Sequence, residues 1–333
     1  MANMIRNDTN IKGILTPLNR EVKLSQYADD TVLTLKDYNS FVECRKHIET
    51  FCKASGMKLN KSKTEGMWLG KFYNDTRLRK LHFDTHNPIK WIPPDQVIRS
   101  LGTMLTVEGD HTNFWNNKLK VIHNRLNNWR RLYPSRLGKN FVAKLSLYSC
   151  IWYYTQTMII PPKVLATLKN MVTTFIWKSN IHQELNQRCR SHTQHNKMCQ
   201  LPKLGGCNFL DLESEVNVFA TKWIQRLVDP SKAIWKDFIW YKIANITDPF
   251  PLSFLPKTCV FTCQLPTKIQ KKLITQMGGI WSIAFRTYFS NPPKPTPLAE
   301  LNIHDLKTTY IYYNDLIKIN GKQIEPTKVH DTK

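Results

Sequence analysis

The sequence predicts an α+β protein: a small strand-and-helix unit at the front, then a long, strongly basic helical region. Three observations carry this. Residues 22–35 alternate and then run β-branched, as a hairpin does, with Asp29–Asp30 between the two halves. Trp115, Leu119, Ile122, Leu126 and Trp129 recur at spacings of four, three, four and three, an apolar stripe along one helix. Lys plus Arg total 48 against 25 Asp plus Glu, a formal net charge of +23, and the excess is concentrated in the helical part.

In order along the chain, Val22, Leu24, Gln26 and Ala28 alternate with Lys23, Ser25 and Tyr27, and TVLTL (31–35) supplies the return strand. A helix is predicted over Asn39–Ser55, burying Phe41, Val42, Ile48, Phe51 and Cys52, with Gly56 as its stop. A short strand is expected at Met67–Leu69. Strand, turn, strand, helix, strand is an α+β order. From about residue 110 the character changes. Lys118, Lys120, Arg125 and Arg130 lie off the tryptophan-bearing stripe. A second helix is predicted over about 137–158, using Phe141, Leu145, Tyr148 and Trp152, and ending at Pro161–Pro162. A third begins near Val164, with Leu168, Met171, Val172, Phe175 and Ile176. After a polar stretch, a turn is read at Pro202 and Gly205–Gly206, and a helix over about 213–227. Pro-rich breaks at 248–256 and 292–297 read as loops or a linker, and the last dozen residues as loose.

The charge is uneven. Residues 1–110 carry 17 basic and 13 acidic side chains, residues 111–200 carry 14 basic and one acidic (Glu184), and the remainder nets +6. More than half the excess thus falls in the middle of the chain, as expected of a phosphate-facing surface, and nucleic acid is the commonest polyanionic partner. Eight scattered cysteines and an N-terminus without an apolar signal segment lead to the expectation of an intracellular chain in a reducing compartment, with nucleus and cytoplasm both open. The most apolar run, 145–160, is interrupted by Ser146, Ser149, Thr155 and Gln156, so no membrane span is expected.

Two neighbouring carboxylates repel, and a divalent cation relieves that cost. Hard oxygen donors suit Mg²⁺, and two-metal sites align a hydroxyl with a phosphoryl group for in-line displacement. The competing reading of Asp29–Asp30 is an ordinary surface turn. Cys189-x2-His192-x2-His195-x3-Cys199 places four zinc-type donors within eleven residues, but without the long spacer of a finger, and a polar loop is the preferred reading. Cys259 and Cys263 lack a partnering pair, so zinc is not expected.

The full string Tyr27-Ala28-Asp29-Asp30 resembles the catalytic hairpin of reverse transcriptases. SGMKLNKSKTEGMWLG (55–70) resembles the helix end, Lys-bearing loop and strand that follow it, and Arg99-Ser100-Leu101-Gly102 the primer-grip hairpin, with Ser100 where tyrosine is usual. Trp115, Leu126-Asn127-Asn128-Trp129, Leu137-Gly138-Lys139, Pro161-Pro162 and Phe175-Ile176-Trp177-Lys178 are similar to the thumb. Leu201-Pro202-Lys203, Gly205-Gly206 and Leu210-Asp211-Leu212-Glu213 resemble the turn beyond it. Over about residues 1–285 the chain resembles non-LTR retrotransposon reverse transcriptases of the long interspersed element class.

The resemblance implies a truncated palm (1–110), a basic helical thumb (111–200) and a mainly helical C-terminal extension (201–333). It implies Mg²⁺ on Asp29 and Asp30, Lys63 steadying the leaving pyrophosphate, and Leu101–Gly102 supporting the primer end. Template–primer contacts fall to Lys118, Lys120, Arg125, Arg130, Arg131, Arg136, Lys139 and Lys144, while Trp115 and Trp129 are expected in the core. The implied partners are an RNA template, a DNA primer, deoxynucleotides and a longer element-encoded polypeptide. Only 26 residues precede Tyr27, so the palm aspartate and fingers that the family places earlier are expected to be missing. Asp8 is a poor substitute for that aspartate, and the expectation is a chain that is inactive alone. The alternatives are a non-catalytic nucleic-acid-binding module from a decayed element, and a helical interaction domain whose charge serves solubility.

Overall fold

The computed structural model describes residues 1–70, 89–93, 96–105, 111–178, 185, 193–247, 261, 265–291, 318–319 and 322–323. The chain has an α+β fold and divides into two compact units, 1–120 and 121–333.

In the first unit, helix α1 (Ala2–Asn7) precedes a paired β1 (Ile14–Leu15) and β2 (Glu21–Val22) and then the hairpin of β3 (Leu24–Tyr27) and β4 (Asp30–Leu33). A bridge between Gly13 and Leu35 joins the two pairs. Gly13 is required there, because a Cβ would lie 2.1 Å from the Val22 carbonyl oxygen. Helix α2 (Tyr38–Ser55) starts where Asp37 accepts the Ser40 N–H at 2.8 Å and stops at Gly56, which takes the left-handed conformation with φ 72°. Its most buried positions are Ser40 and Cys44, with Phe41, Val42, Ile48, Phe51 and Cys52 only partly covered. Ile5, Ile11, Leu24 and Cys44 form the core, with Leu33, Leu35 and Ile48 packed against it. Burial pushes the Cys44 thiol up to about 11.

The expected strand at Met67–Leu69 is displaced. β5 is Glu65–Gly66, and it pairs in parallel with β6 (Lys90–Trp91). The displacement follows from Gly66, whose missing side chain admits the Trp91 ring, which stacks on Trp68 at 4.4 Å between centroids. β7 (Ile98–Ser100) and β8 (Thr103–Leu105) close a second hairpin. Helix α3 (Thr112–Arg130) spans the division between the units.

The second unit is helical where it is described, apart from β9 (Lys318–Ile319) and β10 (Lys322–Gln323). Helix α4 (Arg136–Thr155) and α5 (Pro162–Trp177) pack on each other and on α7 (Leu212–Val228), with a short α6 (His195–Cys199) before the turn at Pro202–Gly206. Helix α8 (Trp235–Thr247), α9 (Thr267–Gln276) and α10 (Gly279–Ser290) build the remainder around Leu227, Ile243, Leu265, Leu273, Met277 and Phe285. The turn rests on two backbone requirements. Gly205 is left-handed at φ 79°, and a Cβ on Gly206 would lie 2.1 Å from the Gln200 carbonyl oxygen.

Two expectations are corrected. On α4 the buried face is Val142, Ala143, Leu147 and Ile151, whereas Phe141 is 70% and Leu145 55% exposed. The helix is apolar on more than one side, so periodicity alone cannot choose the inward face. On α3, Trp115, Ile122 and Leu126 are fully buried, but Trp129 is 39% exposed and its neighbour Arg130 is inside. The loops expected at 248–256 and 292–297, Glu184, Cys189, His192, Cys259, Cys263 and residues 324–333 lie outside the described residues. No described helix is long and apolar enough to cross a membrane.

Candidate active site and basic face

The hairpin tip follows from its register. Tyr27 pairs with Asp30, which leaves Ala28 and Asp29 as a two-residue turn. Ala28 has φ 52°, a left-handed residue at the first turn position, and turns of this kind match the twist of the flanking strands. The aspartates therefore differ in setting: Asp29 sits in the turn, and Asp30 is the first residue of β4. Both are solvent-exposed, as is Tyr27. The base of the hairpin is held inside by Leu24. Gln26 Nε2 donates to the Ala28 carbonyl at 3.4 Å, and Thr34 N–H to the Lys23 carbonyl at 2.8 Å.

Lys23 anchors this hairpin from behind. Its Nζ donates to the Arg6 and Asp8 carbonyls at 3.1 and 2.8 Å, at the C-terminal end of α1 where a cation is favoured. Asp8 is committed elsewhere. Its Oδ2 lies 2.7 Å from His47 Nε2, and its Oδ1 accepts the Asn10 N–H at 2.8 Å. The His47 hydrogen bond, then the Asn10 N–H, hold the Asp8 carboxyl below the usual carboxylate range. Among the described residues, no three His, Cys, Asp or Glu side chains come together as a metal-holding group.

Lys63 closes a 3₁₀ turn (Lys61–Lys63) and is exposed. Asn60 organises this loop: its carbonyl accepts from Lys63 N–H and Thr64 Oγ1, and its side-chain oxygen from Ser62 Oγ. The turn between β7 and β8 is Leu101–Gly102, with φ 47° and 79°. Two positive angles in succession make the tight, mirror-image turn that glycine favours and leucine resists.

The predicted cations separate into two groups. Lys120, Arg125, Arg131 and Arg136 are exposed, and Lys118 and Lys144 half-buried. Arg125 Nη1 donates to Ser149 Oγ at 2.7 Å, the Arg136 guanidinium lies 5.1 Å from the Trp177 ring centre, and Lys118 Nζ lies 5.3 Å from that of Phe114. Arg130 and Lys139 are only 3% and 7% exposed, contrary to the surface placement expected of them. Lys139 Nζ donates to the Lys178 carbonyl at 3.3 Å, so it caps the C-terminus of α5. Burial, then the charges of Arg130 and Arg136, lower its pKa, and burial lowers that of Arg130.

One polar residue of this unit gave no signal in the sequence. Asn140, nearly buried on α4, donates from Nδ2 to the Cys207 and Asn208 carbonyls at 2.8 and 3.3 Å. It ties α4 to the Gly205–Gly206 turn. A mid-helix Asn facing inward stands out only once the turn is known to lie opposite it. Of the four Cys and His side chains in the 189–199 string, His195 Nε2 and Cys199 Sγ lie 3.5 Å apart on α6.

The comparisons with known proteins bear first on the hairpin unit. Residues 6–103 match the family described as reverse transcriptase (RNA-dependent DNA polymerase). The match takes in β3, β4 and the Asp29–Asp30 tip, the Lys63 loop and the Leu101–Gly102 turn. A Xenopus laevis protein described as the transposon TX1 uncharacterized 149 kDa protein is 26% identical over 227 residues, which cover 66% of this chain and 16% of the relative. The relatedness to a transposon protein thus runs well beyond the reverse transcriptase match, while the chain spans a small part of that relative's length.

Proposed function

We propose that this chain is a C-terminal portion of the polymerase region of a non-LTR retrotransposon reverse transcriptase. In this reading residues 1–110 are palm, 111–200 thumb and 201–333 an extension, and the chain engages an RNA template with a DNA primer. The observation that carries the proposal is the reverse transcriptase match over 6–103, which takes in a hairpin with two solvent-facing carboxylates at its tip. The relatedness to a transposon protein supports the element class.

Asp29 and Asp30 offer hard carboxylate oxygens open to solvent, with no third described acidic, His or Cys side chain joining them. That agrees with Mg²⁺ in kind of donor, since this ion retains several waters and shares substrate phosphate oxygens. When bound, it supplies the positive charge that a transferring phosphoryl group requires. Asp29 is the principal ligand in this proposal and Asp30 its partner. The exposed Lys63 ammonium meets the leaving pyrophosphate. The Leu101–Gly102 turn brings backbone close to the primer end, where the absence of a side chain on Gly102 permits near approach. Lys120, Arg125, Arg131 and Arg136, with the half-buried Lys118 and Lys144, face phosphates without reading sequence.

Two carboxylates also favour the second reading: these 333 residues by themselves bind nucleic acid without extending it. Primer extension on an oligo(dT)-primed RNA, with Mg²⁺ and the Asp29→Asn variant in parallel, separates the two. The expected result is salt-sensitive template–primer binding, with log affinity falling by roughly 0.7–0.9 per neutralised phosphate for each decade of salt, and no incorporation. Incorporation that disappears in Asp29→Asn would assign catalysis to this chain alone. A salt-independent affinity would remove the nucleic-acid reading altogether.

A further inference from the structure

With Val142, Ala143, Leu147 and Ile151 turned inward, α4 leaves an apolar face exposed. Leu137 and Phe141 are 67% and 70% exposed, Leu145 follows at 55%, and the three are separated by four residues each. Side chains at that spacing form one ridge, here roughly 12 Å long at 1.5 Å per residue. Single exposed leucines are ordinary, but a contiguous apolar ridge marks an interaction surface.

Its surroundings define the partner. Arg136 adjoins Leu137 and is held against Trp177. At the other end, Arg125 reaches from α3 to Ser149, the next position of the same ridge. Between His111 and Gln183 the sequence contains no Asp or Glu. The ridge is therefore carbon along its middle and cationic at both ends. A second copy of this chain would bring the same cations against themselves. A nucleic-acid strand would find cations at the ends and at the half-buried Lys144 beside Leu145, but the three apolar side chains themselves offer phosphate nothing. An amphipathic helix with an apolar stripe and acidic flanks satisfies both parts, its stripe against the ridge and its carboxylates at the guanidiniums.

We propose that the outer face of α4 is a docking site for an acidic amphipathic helix of a protein partner. The site shares Arg125 and Arg136 with the template–primer contacts proposed above, so an acidic helix and a template–primer compete for them, while its apolar centre takes no part in template–primer binding.

The test uses the full chain and a displayed library of roughly 20-residue helical peptides, a length at which helices form in isolation. The peptides carry an invariant leucine stripe and flanks of Glu, Gln or Lys. Glu-flanked peptides are expected to be enriched, to bind more weakly as salt rises, and to lose about tenfold or more in affinity against Phe141→Ser. An unchanged circular dichroism spectrum and melting curve establish that this variant is folded, and its affinity for the RNA template–primer is expected to match the parent. Absence of enrichment, enrichment regardless of flank charge, or binders indifferent to Phe141→Ser would each overturn the proposal. A loss of RNA affinity in Phe141→Ser would overturn it too, and would assign the ridge to nucleic acid.

Discussion

Replacing Asn140 tests how the second unit is held together. The side-chain amide spans from α4 to two carbonyls of the turn that leads into α7, one at 2.8 Å and one at 3.3 Å. Asn208, whose carbonyl accepts the longer bond, is itself left-handed at φ 50°. Asn140→Ala removes the donors and leaves both acceptors. A buried group deprived of its partner costs about 1–3 kcal/mol. The bond at 2.8 Å carries most of the effect, and the exposed Asn208 can turn to water. A loss of about 2 kcal/mol follows, or a fall in melting temperature of roughly 4–8 °C for a unit of this size. Asn140→Asp sharpens the test, because it sets an anionic oxygen against two carbonyl oxygens in a site that is 7% exposed. Its folded-state pKa is then raised above the ordinary carboxylate value of about 3.9, so its penalty is absent below that value and grows as pH rises through the folded pKa. The difference in urea-unfolding stability between Asn140→Asp and Asn140→Ala, measured from pH 4 to pH 7, cancels the other titrations. It is expected to widen toward pH 7. An Asn140→Ala chain within about 0.5 kcal/mol of the parent, or a flat difference, would refute the linkage of α4 to the turn.

Three further outcomes are predicted. Gly66→Val places a Cβ within 2.6 Å of the Trp91 ring, so the stack with Trp68 has to open; overpacking of this kind costs about 1–3 kcal/mol, read as a lower urea midpoint and a changed tryptophan fluorescence, and an unaltered spectrum would count against the contact. The Asp8 carboxyl is held below the usual range by His47 and the Asn10 N–H. Its contribution is therefore present above the unfolded carboxylate pKa and lost as pH falls through the folded one, so Asp8→Asn should flatten the acid limb of the stability profile, and an identical limb would contradict the assignment. Lys139→Met should change stability but leave RNA affinity as it was, because Lys139 is turned to the end of α5, whereas Arg136→Ala should reduce the salt slope of binding by roughly 0.7–0.9. Equal affinity losses in the two variants would show that burial is no guide to phosphate contact here.

Local chemistry determined a good deal of this protein in advance. Gly56 and the apolar pattern before it marked α2 to within a residue, since a left-handed stop acts on its own backbone. The alternation around Asp29–Asp30 marked the hairpin for a similar reason: strand pairing across a two-residue turn is a short-range affair. The reverse transcriptase resemblance was legible at the same scale, in short strings such as Tyr27-Ala28-Asp29-Asp30. What the sequence could not assign was orientation. Helix α4 is apolar on several sides, and only its packing on α5 and α7 decided that Val142, Leu147 and Ile151 turn inward while Phe141 and Leu145 face solvent. The same holds for charge: Arg130 and Lys139 read as surface cations until tertiary packing closed over them. Asn140 had no meaning before the Gly205–Gly206 turn was seen opposite it. Spacing along a chain specifies which residues share a helix face, but which face is buried depends on elements that fold from elsewhere in the sequence, and that choice belongs to the tertiary structure.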